Sequence, residues 1–150
     1  MKHFLNLCFC LLFANFASAQ LQKVTWEATL EKGDSDEYTL VLQGTIEHGW
    51  YLYSQYLESD EGPIATKVVL NEMEGMESIG KTKESGNKVE GYDNIFLMNI
   101  TKYKEDVTFK QLLKLPKDTE FVSGTITFMT CDDEQCLPPT EVEFTAELAQ

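Results

Sequence analysis

Cys131 and Cys136 are the residues of this chain best suited to chemistry, with four residues between them and Leu137-Pro138-Pro139 directly after. In an oxidising compartment, a lone pair at that spacing predicts a disulfide, either a structural clasp or a bond that exchanges with other thiols. So small a ring removes little chain entropy, giving roughly 2 kcal/mol, and a domain of this length has core enough without it. A bond that adds little stability on a loop within a partner's reach suits exchange. A clasp across a strand connection suits equally, and composition and spacing leave the two readings level. Asp132, Asp133 and Glu134 lie inside the ring. Like-charge repulsion from them is expected to raise the pKa of any free thiol here, so the pair suits attack by a partner's low-pKa thiolate better than attack on a partner. The same acidic run also reads as a solvated loop face. The proline pair stiffens the exit and holds Cys136 in a defined place.

The oxidising compartment is itself an expectation from the first residues. Lys2 and His3 precede a short apolar run from Phe4 to Phe16, and Ala17-Ser18-Ala19 follows. A basic start, a short apolar stretch and a small-residue end predict a secretory signal peptide at 1–19, cut after Ala19. The run is too short to span a bilayer, which takes about 20 apolar residues. No stable membrane anchor is therefore expected. Cys8 and Cys10 would leave with the leader, so a single exported domain, 20–150, would keep only the pair Cys131 and Cys136.

The chain holds 150 residues, 12 of them Lys and none Arg, against 25 Asp and Glu, for a formal net charge of −13. No basic face for a phosphate backbone can be assembled from that balance, which excludes nucleic acid as a partner. With 43% apolar residues the chain is not globally disordered. Gly-rich phosphate loops, HExxH, paired CxxC and GxSxG are all missing from the sequence.

The elements that must carry the cysteines read as strands throughout. Between Lys23 and Leu30, apolar Val24, Trp26, Ala28 and Leu30 alternate with polar neighbours, the period-two pattern of a half-buried strand. Gly33-Asp34-Ser35-Asp36 is a turn, and Tyr38–Ile46 completes a hairpin. His48-Gly49 breaks the chain before the aromatic stretch Trp50–Tyr53. Further strands are expected at 66–70, 95–101, 107–115, 121–129 and 142–148. Polar connections are expected at 58–62 and 72–91, the second long enough to be a flexible excursion. Some eight short strands with no amphipathic helix predict an all-β fold, an immunoglobulin-like antiparallel β-sandwich.

Thr125–Cys131, the cysteine spacing to Cys136 and Leu137-Pro138-Pro139 resemble the active-site region of the periplasmic N-terminal domain of the DsbD-type thiol:disulfide interchange proteins, also described as a disulfide bond corrector domain. Gly49-Trp50-Tyr51-Leu52-Tyr53-Ser54 resembles that family's aromatic strand, and Gly62-Pro63 with Thr66 its following turn. The resemblance implies an immunoglobulin-like fold and a reductive relay without metal or organic cofactor. In the family, a membrane-embedded domain passes electrons to a thioredoxin-like domain. That domain reduces the immunoglobulin-like one, which reduces periplasmic clients such as disulfide isomerases and cytochrome c maturation factors. Carried over, Cys136 forms the mixed disulfides with a thioredoxin-like electron donor and with disulfide-containing clients, and Cys131 resolves them. Tyr51 and Tyr53 line the site, and Phe96, beside Asp93 and Asn94, matches an aromatic residue of a cap loop that shields the disulfide. The sequence departs from the pattern in its cysteine spacing, one residue shorter, and in Asp93-Asn94-Ile95 where the family has an acidic pair. It ends at Gln150 with neither of the other domains, so the expectation is a detached module that draws electrons from a separate protein.

Two other readings compete. One is an exported β-sandwich that binds a partner protein through an aromatic strand or acidic face, its disulfide only holding a loop. The other, weaker, gathers Cys131, Cys136 and His48 around Cu(I) or zinc, which nothing in the spacing requires.

Overall fold

The computed structural model describes residues 22–59 and 61–149. The leader expected at 1–19, with Cys8 and Cys10, lies outside the described residues. The described chain forms nine strands: β1 (Val24–Lys32), β2 (Glu37–Ile46), β3 (Tyr51–Tyr53), β4 (Lys67–Leu70), β5 (Glu77–Asp93), β6 (Met98–Lys114), β7 (Phe121–Phe128), β8 (Thr130–Cys131) and β9 (Thr140–Leu148). No helix occurs among the described residues.

The alternation in β1 and β2 produces the expected hairpin, paired in register from Val24 opposite Ile46 to Lys32 opposite Tyr38. Hydrogen bonding runs in the order β4-β7-β9-β1-β2-β6-β3-β8, with β5 paired to β6 alone. Every pairing is antiparallel except β1 with β9, a short parallel contact at Thr29–Glu147 and Leu30–Leu148. The sheet curls about that contact, so that Leu40 and Leu42 of β2 and Phe109 and Leu113 of β6 share one core with Val122, Ile126 and Phe128 of β7 and Phe144 of β9. This is the immunoglobulin-like sandwich expected from the strand pattern.

Two expectations fail around the hairpin β5–β6. The stretch 72–91 is not a flexible excursion: from Glu77 it forms β5, 17 residues long. Its sequence hides this because almost every side chain is exposed, so no apolar alternation develops. Pairing to β6 along its length holds it, and its free edge is protected by lysines and by register shifts after Ile79 and Gly86. Gly86 sits at φ 136° with the Asp106 carbonyl 2.5 Å from where a Cβ would stand, so only glycine fits the second shift. The segments 95–101 and 107–115 are parts of one strand, β6, carried through a left-handed Glu105 at φ 65°. That strand begins at Met98, and Asn94–Leu97 is the turn that closes the hairpin.

Candidate functional site

Strand β3 is buried on both faces. Leu52 points into the sandwich core with Trp50. One residue to either side, Tyr51 and Tyr53 point the other way, into a second, smaller cluster with Ile100, Met129 and Cys131. Strand alternation alone produces the split. The outer face of a sandwich sheet ordinarily meets water. Here Leu57, Phe96, Met98 and Cys136 pack over it.

Cys131, on β8, pairs directly with Tyr51. It is joined to Cys136 by a disulfide of 2.04 Å, with the two Cα atoms 4.0 Å apart. The ring is held by its own residues. The Asp132 N–H donates to the Gln135 carbonyl at 2.9 Å, and the Leu137 N–H to the Thr130 carbonyl at 2.9 Å. The Asp132 carboxylate accepts the N–H groups of Glu134 and Gln135, each at 2.8 Å. Those two backbone bonds hold its carboxyl below the usual range. Asp132 therefore serves first as a turn former, while Asp133 and Glu134 are exposed, the solvated loop face that such runs commonly make. From β3 the Tyr51 hydroxyl donates to the Asp132 carbonyl at 2.8 Å and ties the ring to the sheet.

The two sulfurs are not equivalent. Cys131 is completely buried, whereas Cys136 is half-buried. The aromatic residues form a chain over them: the Tyr51 and Tyr53 rings meet edge-on at 5.7 Å, and Tyr53 and Phe96 edge-on at 5.8 Å. Phe96 thus belongs to the hairpin turn and folds back onto the cluster. Burial raises the pKa of both tyrosines. At Tyr51 the Lys102 charge partly offsets it, and at Tyr53 the neighbouring Tyr51 and Asp93 add to it. The Tyr53 hydroxyl is buried with no hydrogen-bond partner among the described residues.

Asp93, only 3% exposed, fixes the turn that carries Phe96. Its Oδ1 accepts the N–H groups of Ile95 at 2.9 Å and Phe96 at 3.2 Å, and its Oδ2 meets the Lys102 ammonium at 2.9 Å. Burial pushes its carboxyl up, but these bonds and the Lys102 charge outweigh that and hold it below its ordinary value. Lys102 also lies over the Tyr51 ring, 3.8 Å from the centroid, with Lys104 at 5.6 Å. Spacing around the cysteines could not reveal these lysines, which arrive from β6 by register: Lys102 opposite Tyr53 and Lys104 opposite Tyr51. The floor below is held by Thr66, whose hydroxyl donates to the Tyr53 carbonyl at 2.6 Å. His48 stands apart, exposed in the turn between β2 and β3. Among the described residues no three His, Cys, Asp or Glu side chains converge as metal ligands.

The model of the family described as thiol:disulfide interchange protein DsbD, N-terminal, matches residues 18–148. The chain belongs to this family. The DsbD-type domain also has relatives among solved structures. The N-terminal periplasmic domain of ScsB from Proteus mirabilis is 17% identical, with a TM-score of 0.60 over 83% of this chain. The chain spans 46% of that ScsB chain. A structure of the complex between the DsbD and PilB N-terminal domains from Neisseria meningitidis matches at 19% identity and a TM-score of 0.52, over 80% of each chain. At these identities the likeness is one of fold. No curated protein matches the chain.

Proposed function

We propose that this DsbD-type domain is an exported thiol–disulfide interchange module that relays electron pairs through Cys131 and Cys136, with Cys136 as the sulfur that partners attack. The observation that carries this is the asymmetry of the bond: a buried Cys131 against a half-buried Cys136, in a family of interchange proteins. A thiolate needs access to one sulfur in line with the other, and only Cys136 lies toward solvent.

The steps balance with thiols alone. The thiolate of a donor dithiol attacks Cys136, the Cys131–Cys136 bond breaks, and Cys131 leaves as a thiolate that takes up a proton. The donor's second thiol then attacks its own first sulfur and releases Cys136. The domain now carries two thiols and the donor a disulfide. Toward a client the direction reverses: the Cys136 thiolate attacks the client disulfide, and Cys131 attacks Cys136 to re-form the bond and free the client as a dithiol. The hydrogen-bonded ring loop keeps the two sulfurs within reach of each other. Tyr51, Tyr53 and Phe96 line the bond and exclude water from its inner side.

A DsbD N-terminal domain of Neisseria meningitidis forms a complex with a PilB N-terminal domain. By that likeness the partners of this chain are separate redox proteins, a thioredoxin-like donor and disulfide-containing clients. The ScsB relative is a periplasmic domain, which with the leader read in 1–19 favours the same compartment here. Equilibration of the oxidised domain against glutathione and dithiothreitol buffers tests the proposal. An exchanging pair is expected well above about −300 mV, and a value below that would leave a structural clasp on a binding domain.

A further inference from the structure

The hairpin turn at Asn94–Leu97 and the disulfide ring at Cys131–Cys136 are far apart in sequence, yet one chain of polar contacts joins them. It begins at the Ile95 and Phe96 amides, which Asp93 holds. It passes from Asp93 to Lys102, from Lys102 to the face of the Tyr51 ring, and from the Tyr51 hydroxyl to the Asp132 carbonyl inside the ring. Asp93 is almost fully buried and Lys102 largely so, with side-chain exposures of 2% and 16%. A buried carboxylate left without its cation is costly, so the state of the pair bears on the turn that Asp93 holds.

The surroundings of the turn make it the part that would move. Leu97 stands at φ 56°, a left-handed conformation rare outside glycine and asparagine. Tyr92, Ile95 and Leu97 expose large apolar side chains, Leu97 at 70%, so little of the turn's own apolar surface anchors it. Its inner contact is Phe96 on Tyr53. Met98, at the base, packs against Gly62 so closely that a Cβ there would stand 2.6 Å from its sulfur. The base is therefore clamped and the tip is tied mainly through Asp93.

We propose that Lys102 is a positioning residue that couples the Asn94–Leu97 turn to the disulfide ring, holding Phe96 down and Tyr51 in place with one ammonium group. Its bearing on function rests on the exchange reading above, while its effect on access to the bond does not. Without Lys102 the Asp93 carboxylate loses its partner, the turn lifts, and Cys136 becomes open to small thiols.

The test is the rate at which dithiothreitol reduces the oxidised domain under native conditions, with global stability recorded beside it. Lys102→Met is expected to react about ten-fold faster, the size of effect that a modest shift in an opening equilibrium produces. Lys102→Arg, which keeps the cation, should return to within about two-fold of wild type. Because Asp93 and Lys102 form one link, Lys102→Met with Asp93→Asn together should react no faster than the quicker single variant. A wild-type rate for Lys102→Met, or two effects that multiply, would overturn the coupling. Should Lys102→Met fail to fold, Asp93→Asn alone, which keeps the side chain's size and removes its charge, is read the same way. A faster dithiothreitol reaction with no mixed disulfide to a thioredoxin-like protein would keep the coupling and sink the relay. An adduct with unchanged dithiothreitol rates would do the reverse.

Discussion

Leu52 and its two neighbours Tyr51 and Tyr53 are consecutive residues of one strand, all three buried, in environments of opposite kinds. Leu52 joins a large core of aliphatic and aromatic side chains that includes Leu40, Phe109 and Phe128. The tyrosines join a small cluster holding a disulfide, two phenols, a buried ion pair beside them and a hydroxyl with no partner among the described residues. The first cluster lies between the layers of the sandwich, where burial follows from the fold. The second lies on an outer face and is buried because Phe96 of the β5–β6 turn, together with Leu57, Met98 and Cys136, packs over it. The first holds most of the buried apolar side chains, and the proposed exchange chemistry lies in the second. A cover that is a separate, lightly anchored turn can be displaced without unfolding the sandwich.

Substitutions that separate the clusters test this contrast, beginning with the largest effect. Phe128→Ala empties a fully buried position of the main core and should cost about 3–5 kcal/mol in urea unfolding. Phe96→Ala removes a ring of the same size from the turn. It should cost about 1 kcal/mol or less, since the side chain is only half-buried and the turn can close on the gap, and it should speed reduction by dithiothreitol severalfold. Equal losses for the two phenylalanines would erase the distinction.

The tyrosine pair sharpens it further. Tyr51→Phe deletes the bond to the Asp132 carbonyl and should cost about 1 kcal/mol. Tyr53→Phe deletes a hydroxyl with no partner among the described residues and should be neutral or stabilising by about 0.5 kcal/mol. A larger loss for Tyr53→Phe would mean that its hydroxyl has a partner in solution.

The last contrast is in pH. The folded Asp93 carboxyl titrates below its ordinary value of about 3.9, so its stabilisation is fully present above that value and disappears as pH falls through the lowered one. The stability difference between wild type and Asp93→Asn should shrink over that acidic window and stay flat from pH 5 to 8. A difference that changes across neutral pH would point to another group.

Much of the fold is legible in the sequence. The β1–β2 hairpin followed from the alternation of its first strand, the turn at 33–36 and the β-rich run after it, and Tyr51, Tyr53 and Phe96, singled out by the family resemblance, gather with the cysteine pair in one cluster. What could not be read has physical reasons. Strand β5 is exposed along most of its length and carries no periodic apolar signal. The Asp93–Lys102 pair joins two common residue types whose meeting depends on the β5–β6 register. Both cysteines are visible in the sequence, but that one is fully buried and the other half-buried depends on how the outer face of the sheet is covered.

Trapping the mixed disulfide probes that inequality between the two sulfurs. Cys131→Ser and Cys136→Ser domains would each be incubated with a thioredoxin-like protein lacking its resolving cysteine, in the presence of an oxidant of stated class such as glutathione disulfide. The adducts would be mapped by mass spectrometry. A stable adduct is expected through Cys136 in Cys131→Ser, with little or none through Cys131 in Cys136→Ser. An adduct formed as readily through Cys131, or none through Cys136, would contradict it.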